Sequence, residues 1–510
     1  MTLRRALAFL VSLLVTAGIA QAHVGSSDIF FAGQAGPYPA HVTIRVPPVV
    51  PGRAEIDVQA SGDSLQVSVL PIYARTDVKN APPPEPASPV QGEPNLYRGD
   101  LWLMSVGAYS IEVRIHGPAG DGTIQIPVNS VATHQLPLPK YLGAILVTFG
   151  SLLAFGGLAI VRVAAGESVL VPGAAMGRRE HRKGMIATLV TAVIVTLLLI
   201  GGRMWWNAEE RDFQRHLREG AWPDLTCTIR NDGPQRVLQL TLAEKELVPG
   251  ASLPLLPDHG KLLHLFLIRE PGRDAFAHLH PVRTGGKTFE VALPDLPDGD
   301  YRVFCDLTID GSGLSSTAAA TIQLPKAPES SNTASNLKAD QDDSWATVSA
   351  TNTINQAGET ICALSGGLHA KWKAHPPLRA KQDAHLQFEL VDGAGQPCAL
   401  EPYMGMMSHA AILRDDNKVF AHLHPTGNFS MATQMFFQSK LDREAAAANG
   451  APMPAEMDHT KMGHGAPSKE GTSTISLPYE FPSPGKYWVF VQFKTGGEVR
   501  TTVFTTSVGE

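Results

Sequence analysis

Histidine and methionine are concentrated in one motif that the chain uses twice. Phe276-Ala277-His278-Leu279-His280-Pro281 recurs letter for letter as Phe420-Ala421-His422-Leu423-His424-Pro425. Upstream, Pro257-Asp258-His259-Gly260-Lys261-Leu262-Leu263-His264 aligns without a gap on Pro402-Tyr403-Met404-Gly405-Met406-Met407-Ser408-His409. In an extended strand alternate side chains share a face, so His278 and His280 point the same way, as do His422 and His424. His264 and His409 come from an earlier strand that the fold can bring alongside. Each copy then offers three imidazoles, with His259 as a fourth ligand in one and Met404 in the other. These are ligand types for copper, as Cu(I) or Cu(II), and zinc suits the all-nitrogen copy equally well. The alternative is a set of half-exposed strand histidines satisfied by hydrogen bonds. A nitrogen-rich set and a mixed thioether set favour different copper oxidation states, and the two sets are expected to be separable, one per repeat.

The elements that must position these residues are mainly β. At 510 residues the chain is too long for one core, and roughly three domains is the natural expectation. The 39 prolines and 47 glycines fall between short alternating runs, the pattern of β-sandwich modules. The expected fold class is three immunoglobulin-like β-sandwich modules plus a two-helix transmembrane hairpin. A net charge of -6 with a pI near 6.3 gives no support for nucleic-acid binding, and nothing in residues 24–135 has an enzyme's nucleophile spacing.

Residues 1–22 read as a secretory signal: Arg4 and Arg5, an apolar run from Ala6 to Ala17, and a small-x-small site at Ala20-Gln21-Ala22. Residues 23–135 form the first exported sandwich, with alternation in Val42-Thr43-Ile44-Arg45-Val46 and Ala54-Glu55-Ile56-Asp57-Val58. Residues 141–161 carry no charge and suffice to cross a hydrocarbon core of ~30 Å. A basic loop, 162–184, holds Arg178, Arg179, Arg182 and Lys183, and 185–202 is the second span, anchored by Trp205-Trp206. The positive loop belongs in the cytoplasm and both flanking portions on the exported side. No ionisable residue lies in the body of either span, which argues against an ion pathway. Residues 225–324 are repeat A, 325–345 a flexible linker, and 346–508 repeat B.

Repeat B carries an insertion at 440–472, rich in Ala, Gly and Pro, for which disorder is expected. It includes Met453, Met457, His459, Met462 and His464. Thioethers beside imidazoles on a mobile segment suit Cu(I) capture; the alternative is a linker with incidental histidines. Met404, Met406, Met407, Met431 and Met435 add thioethers or core packing to the same module. In an exported protein the four cysteines are expected to pair. Cys227 with Cys305 and Cys362 with Cys398 keeps each bridge inside one repeat, although four cysteines allow three connectivities.

Residues 380–508 resemble the YtkA-like family of bacterial exported immunoglobulin-like modules. The features are Leu378-Arg379-Ala380-Lys381-Gln382-Asp383-Ala384, Asp392-Gly393-Ala394-Gly395-Gln396-Pro397, Leu400-Glu401-Pro402-Tyr403-Met404-Gly405-Met406, the His422-Leu423-His424 stretch and the ending Phe481-Pro482-Ser483-Pro484-Gly485-Lys486-Tyr487. Residues 225–324 fit more weakly. The resemblance implies the fold and an association with extracytoplasmic metal handling. Separately, cleavage after Ala22 leaves His23 first, as in copper monooxygenases with a histidine brace and in CopC-like copper carriers. Such a brace needs His41, His116 or His134 as partner. The expectation for the whole chain is a two-pass protein of the cell (inner) membrane, its outer modules periplasmic in an organism that has a periplasm. It binds or delivers copper without catalysis, with the lipid bilayer and another extracytoplasmic copper protein as partners. The rival is an envelope scaffold with no metal.

Overall fold

The computed structural model describes residues 28–133, 136–171, 173–219, 223–232, 235–243, 253–326, 338–349, 352–450 and 471–510. The signal segment, His23, His134, Met453, Met457, His459, Met462 and His464 lie outside the described residues. The chain divides into two compact units, residues 134–218 and all the rest.

The smaller unit is a pair of helices. Lys140–Glu167 has 28 residues and Arg178–Glu219 has 42, and both are long and apolar enough to cross a bilayer. At 1.5 Å per residue the second measures about 63 Å, so its charged end, with Glu209, Glu210 and Arg211, extends well past the apolar stretch. The helices are longer than the expected spans, and Arg178, Arg179, Arg182 and Lys183 sit in the opening turns of the second helix rather than in a loop. Threonine hydroxyls within the apolar runs are satisfied locally. Thr148, Thr188 and Thr196 each donate to the carbonyl four residues back at 2.8 Å.

The larger unit is built of strands. Residues 29–130 form one eight-stranded antiparallel sheet folded over a single core. The alternation is the cause: Val42 and Ile44, Ile56 and Val58, Ile111 and Val113 all turn inward and are buried. Repeat A has two sheets over a core that includes Leu238, Leu240, Leu265, Leu267, Tyr301 and Val303. Repeat B has two sheets over Leu386, Phe388, Ile412, Leu477, Val489 and Phe504. In A the site-bearing strands are His264–Glu270, Ala275–Leu279 and Gly299–Ile309. In B they are His409–Arg414, Phe420–Leu423 and Gly485–Thr495.

Two expectations are corrected here. The end of the linker is ordered: Ser344–Thr347 is an edge strand antiparallel to Ala275–Leu279, with Ser344 opposite His278. The first part of the insertion is helical, since Met431–Ala448 forms a helix capped by Ser430, whose hydroxyl accepts from the Thr433 amide at 3.2 Å. The reason is composition. The run from Leu441 to Ala448 is rich in strong helix formers, and Met431, Met435 and Phe437 give the helix a buried face. The expected pairing of Cys227 with Cys305 and of Cys362 with Cys398 is corrected as well, since all four cysteines are free thiols. Cys227 and Cys305 line the repeat A core, where burial pushes the Cys227 thiol up to about 12 and Cys305 well above its ordinary value.

The repeats meet through the sheets that carry the histidines. Phe276 of A stacks on Phe490 of B with centroids 4.8 Å apart, and Phe420 of B stacks on Phe304 of A at 4.1 Å. Phe276 and Phe420 are equivalent in the repeat, as are Phe304 and Phe490, so the contact is a crossed pair with local two-fold symmetry. Each stack contributes about 1 kcal/mol beyond its burial. Phe266, Ile268, Ala411, Leu413 and Val503 fill the same layer.

The first module is braced on repeat B. The Ala32 amide donates to the Thr426 carbonyl at 2.9 Å, and the Phe30 amide to Asn428 Oδ1 at 2.8 Å. Gly427, at φ +137°, lies so close to the Phe30 carbonyl that a Cβ there would overlap it. Arg45 completes the contact, with Asp57 and Glu480 each at 2.7 Å. Asp57 also has Arg98 at 2.6 Å, whereas Glu480, 1% exposed, has Arg45 as its only ion-pair partner among the described residues. Arg45→Ala is therefore expected to cost about 3 kcal/mol by stranding a buried carboxylate, and Glu480→Gln in that background should recover most of the loss. Denaturant unfolding of the three proteins checks this; an Arg45→Ala protein as stable as wild type would show that the bridge is dispensable.

Candidate metal centre

Each repeat places its histidines by the same two devices. The first is a two-residue turn. Asp258 and Lys261 exchange both backbone hydrogen bonds at 2.8 Å, with His259 at φ +49° and Gly260 at φ +79° between them. Tyr403 and Met406 do the same at 2.7 and 3.1 Å, around Met404 at φ +50° and Gly405 at φ +78°. Two consecutive left-handed residues define this tight turn and explain the glycine in both copies. The second device is antiparallel pairing. Phe266 sits opposite His278, and Ala411 opposite His422. That register brings His264 beside His280, with centroids 5.2 Å apart, and His409 beside His424 at 4.8 Å. The diagonal members His278 and His422 complete two triads, each with ligand atoms within 4.8 Å of one another.

Hydrogen bonds to acceptor oxygens place the ring proton of His264, His278, His280 and His409. His264 Nε2 donates to the Asp258 carbonyl at 3.1 Å, and His409 Nε2 to the Tyr403 carbonyl at 3.0 Å. A carbonyl only accepts, so Nδ1 of both rings bears a lone pair. His278 Nδ1 donates to Gln492 Oε1 at 3.0 Å; the Gln492 amide nitrogen in turn reaches Ser344 Oγ at 2.5 Å. His422 Nδ1 faces Asp306 Oδ2 at 3.3 Å. Nε2 of His278 is then the lone-pair atom, and so is Nε2 of His422 when its Nδ1 carries the proton toward an ionised Asp306. His264 Nδ1 and His278 Nε2 lie 3.1 Å apart, and His409 Nδ1 and His422 Nε2 lie 3.3 Å apart. Two lone pairs at that distance repel unless a cation sits between them. Two nitrogens bound tetrahedrally at ~2.0 Å to one ion stand about 3.3 Å apart. His280 Nδ1 donates to Asp343 Oδ1 at 3.0 Å, and its Nε2 is buried with no hydrogen-bond partner among the described residues, as are both nitrogens of His424.

These partners cross between modules. His278 of A bonds Gln492 of B, and His422 of B faces Asp306 of A. Gln492 is the strand neighbour of His409, and Asp306 of His264. Rings of the two triads consequently interleave: His264 to His422 is 5.6 Å, His278 to His422 5.5 Å and His278 to His409 6.0 Å. His259 stands among them, 6.2 Å from His264 of its own repeat but 5.1 Å from His424 and 5.6 Å from His409 of the other. Each repeat's three histidines group as expected, but the two groups lie side by side rather than apart. The histidines form one cluster at the interface, because the strand faces that carry them are the faces through which the repeats pack.

Charge in the cluster is controlled by burial. Desolvation holds His278, His280, His409, His422 and His424 well below the usual 6.5, and neighbouring imidazoles add to the shift. His264 is lowered by burial too. All are neutral at pH 7, the form that binds a metal. Burial pushes the Asp343 carboxyl up to about 6, against bonds from the Asp340 and His280 amides. Burial likewise raises Asp306 to about 7, with a Thr317 hydroxyl bond of 2.6 Å opposing.

The remaining candidate residues separate by position. Met404 is half-buried in its turn. Met406, Met407, Met431 and Met435 are buried, the first three within hydrophobic cores. His41 pairs with His385 at 4.7 Å, away from the cluster, and His116 is exposed beside Asp121. Three functional residues escaped the sequence reading. Asp306 and Gln492 occupy the same place, five residues after Tyr301 and Tyr487, so extending the repeat two residues past Phe304 and Phe490 would have found them. Asp343 belongs to the acidic run read as a linker, where Asp340 and Asp342 also hold Lys261 at 2.5 and 3.0 Å.

Residues 363–510 match the model of a domain of unknown function, DUF8832. No curated protein matches the chain. Among solved structures, the chain is similar to the chicken interferon gamma receptor alpha chain, at 8% identity and a TM-score of 0.16, over 57% of this chain and 98% of that one. It is also similar to the chicken CNTN1 FN1–FN3 domains, at 10% identity and a TM-score of 0.13, over 92% and 97%. Likeness of that degree carries no argument about the site.

The buried imidazoles predict an acid sensitivity. Unfolded histidine takes up protons near 6.5, whereas the folded rings resist them, so stability is present above 6.5 and is lost as pH falls below it. Each shifted ring contributes up to about 1.4 kcal/mol per pH unit in that window. The denaturation midpoint of the metal-free protein should fall from about pH 6.5 to about pH 5, the six rings outweighing Asp306 and Asp343, whose raised values act in the opposite sense. A midpoint that does not move over that range would contradict the burial of neutral rings.

Proposed function

We propose that the protein is a membrane-anchored, extracytoplasmic copper-binding protein that holds or delivers the ion without turning over a substrate. One observation carries the reading: in each triad the outer hydrogen bonds leave lone pairs directed at one another inside a buried site. A backbone carbonyl, a carboxylate or an amide oxygen accepts from the far nitrogen of four of the six rings and faces that of a fifth, which is the usual second layer around metal-bound histidine. A metal-free scaffold would have to tolerate these contacts and the orphaned nitrogens of His280 and His424, at about 1–3 kcal/mol for each buried unsatisfied group.

Imidazole donors suit copper and zinc alike. Copper is favoured by the thioether at Met404 and by the Met457, His459, Met462 and His464 segment that follows the Met431–Ala448 helix in sequence. The signal-like start and the two apolar helices support a two-pass topology. The basic opening of the second helix then lies in the cytoplasm, and the immunoglobulin-like modules, the last of them YtkA-like, lie outside. The partner that fits is another extracytoplasmic copper protein.

The test is thermal unfolding of the detergent-solubilised full chain with Cu(I), Cu(II) or Zn(II). Binding to the folded state raises stability by about 2.7 kcal/mol at a hundredfold excess over Kd, so the melting temperature should climb with copper concentration. His280→Ala with His424→Ala should weaken that response severalfold at least. A wild-type melt unmoved by any of the three ions would replace the copper reading with the scaffold.

A further inference from the structure

The interleaving of the rings leads beyond ion binding to the nature of the centre. We infer that the two triads hold a pair of copper ions as one dinuclear centre, with His259 as a ligand lying between them. The inference rests on the copper reading above and adds the pairing. Each triad has its own converging lone pairs, on His264 and His278 in one and on His409 and His422 in the other, so each takes its own ion. Imidazoles of opposite triads lie 5.5 to 6.0 Å apart. With metal–nitrogen bonds of about 2.0 Å, the ions are then about 5–8 Å from each other.

Three further features bind the two positions into one centre. First, the outer partners are exchanged: Gln492 of repeat B orients His278 of the first triad, and Asp306 of repeat A faces His422 of the second. Neither repeat can position its triad alone. Second, His259 belongs to repeat A by sequence but faces His409 and His424 of repeat B. Third, a cavity of about 150 Å³ opens on members of both triads, His264, His422 and His424, beside Asp258, Asp306 and Ser430. It has room for a few water-sized molecules. Asp258 and Asp306 in its wall, with Asp343 against His280, are carboxyls that can offset the charge of bound cations. The Ser430 hydroxyl donates to Asp258 at 2.9 Å and so fixes the wall that carries the His259 turn.

Pairing has a magnetic consequence that two distant sites lack. The full-length protein in detergent is titrated with Cu(II) and followed by electron paramagnetic resonance together with the copper content after desalting. The first equivalent should give an isolated axial signal. The second should broaden it, introduce a half-field transition, and bring the integrated isolated-spin signal below two spins per chain. His422→Ala with His424→Ala should leave one ion and abolish the half-field line. Two retained copper ions with a signal that grows in proportion to both, and no half-field line, would overturn the dinuclear centre while leaving copper binding intact. Retention of a single ion by the wild type would overturn the pairing in the same way. No retained copper would overturn both.

Discussion

A neutral imidazole carries one proton and one lone pair, and burial demands a partner for each. In this protein the demand is met on the proton side in most of the rings, and on neither side in His424 among the described residues. Backbone carbonyls of Asp258 and Tyr403, the amide oxygen of Gln492 and the carboxyl of Asp343 accept the ring protons of four rings, and Asp306 faces a fifth. The lone pairs are turned inward toward one another. Every other feature of the centre follows from that half-satisfied arrangement. Protonating a ring would satisfy its lone pair but place a charge in a site where burial and six neighbouring imidazoles oppose it. A divalent or monovalent soft cation satisfies several lone pairs at once.

The arrangement depends on packing that is itself repeated. The crossed stacks Phe276–Phe490 and Phe420–Phe304 join the two sheets face to face, and the histidines are the polar end of that same layer. Phe266 joins the two parts directly, stacked on His278 at 4.3 Å. The first module and the Met431–Ala448 helix close the surroundings. Ser430 reaches Asp258, and the Phe30–Ala32 backbone braces the turn that follows His424. Loops that would otherwise move are thus held against three modules, which keeps the ligands within the small tolerance that metal geometry requires.

The repeat, the alternation and the grouping of three histidines per copy were legible in the sequence because they depend on local geometry. A His-x-His pair on a strand shares a face wherever the strand goes, and the equal spacing from His264 and His409 fixes the neighbouring strand. What was not legible is relational. Nothing local tells that the two histidine faces pack against each other, so separate sites were the natural expectation and His259 was assigned to its own repeat. Asp343 was hidden for a different reason. Its run of polar residues has the composition of a linker, and it is placed by the edge strand Ser344–Thr347 that follows it, paired with Ala275–Leu279. The helix from Met431 shows the same limit, since its buried face is created by contact with the first module.

The central claim is that copper sits among these imidazoles and not on exposed thioethers or carboxylates. X-ray absorption at the copper edge of the loaded full-length protein tests it most directly. The structure predicts a shell of three or four nitrogen donors at about 2.0 Å, with the multiple-scattering pattern of imidazole rings and at most one sulfur, from Met404. A shell dominated by sulfur, or by oxygen without imidazole scattering, would contradict the account, because the ion would then be bound elsewhere in the chain.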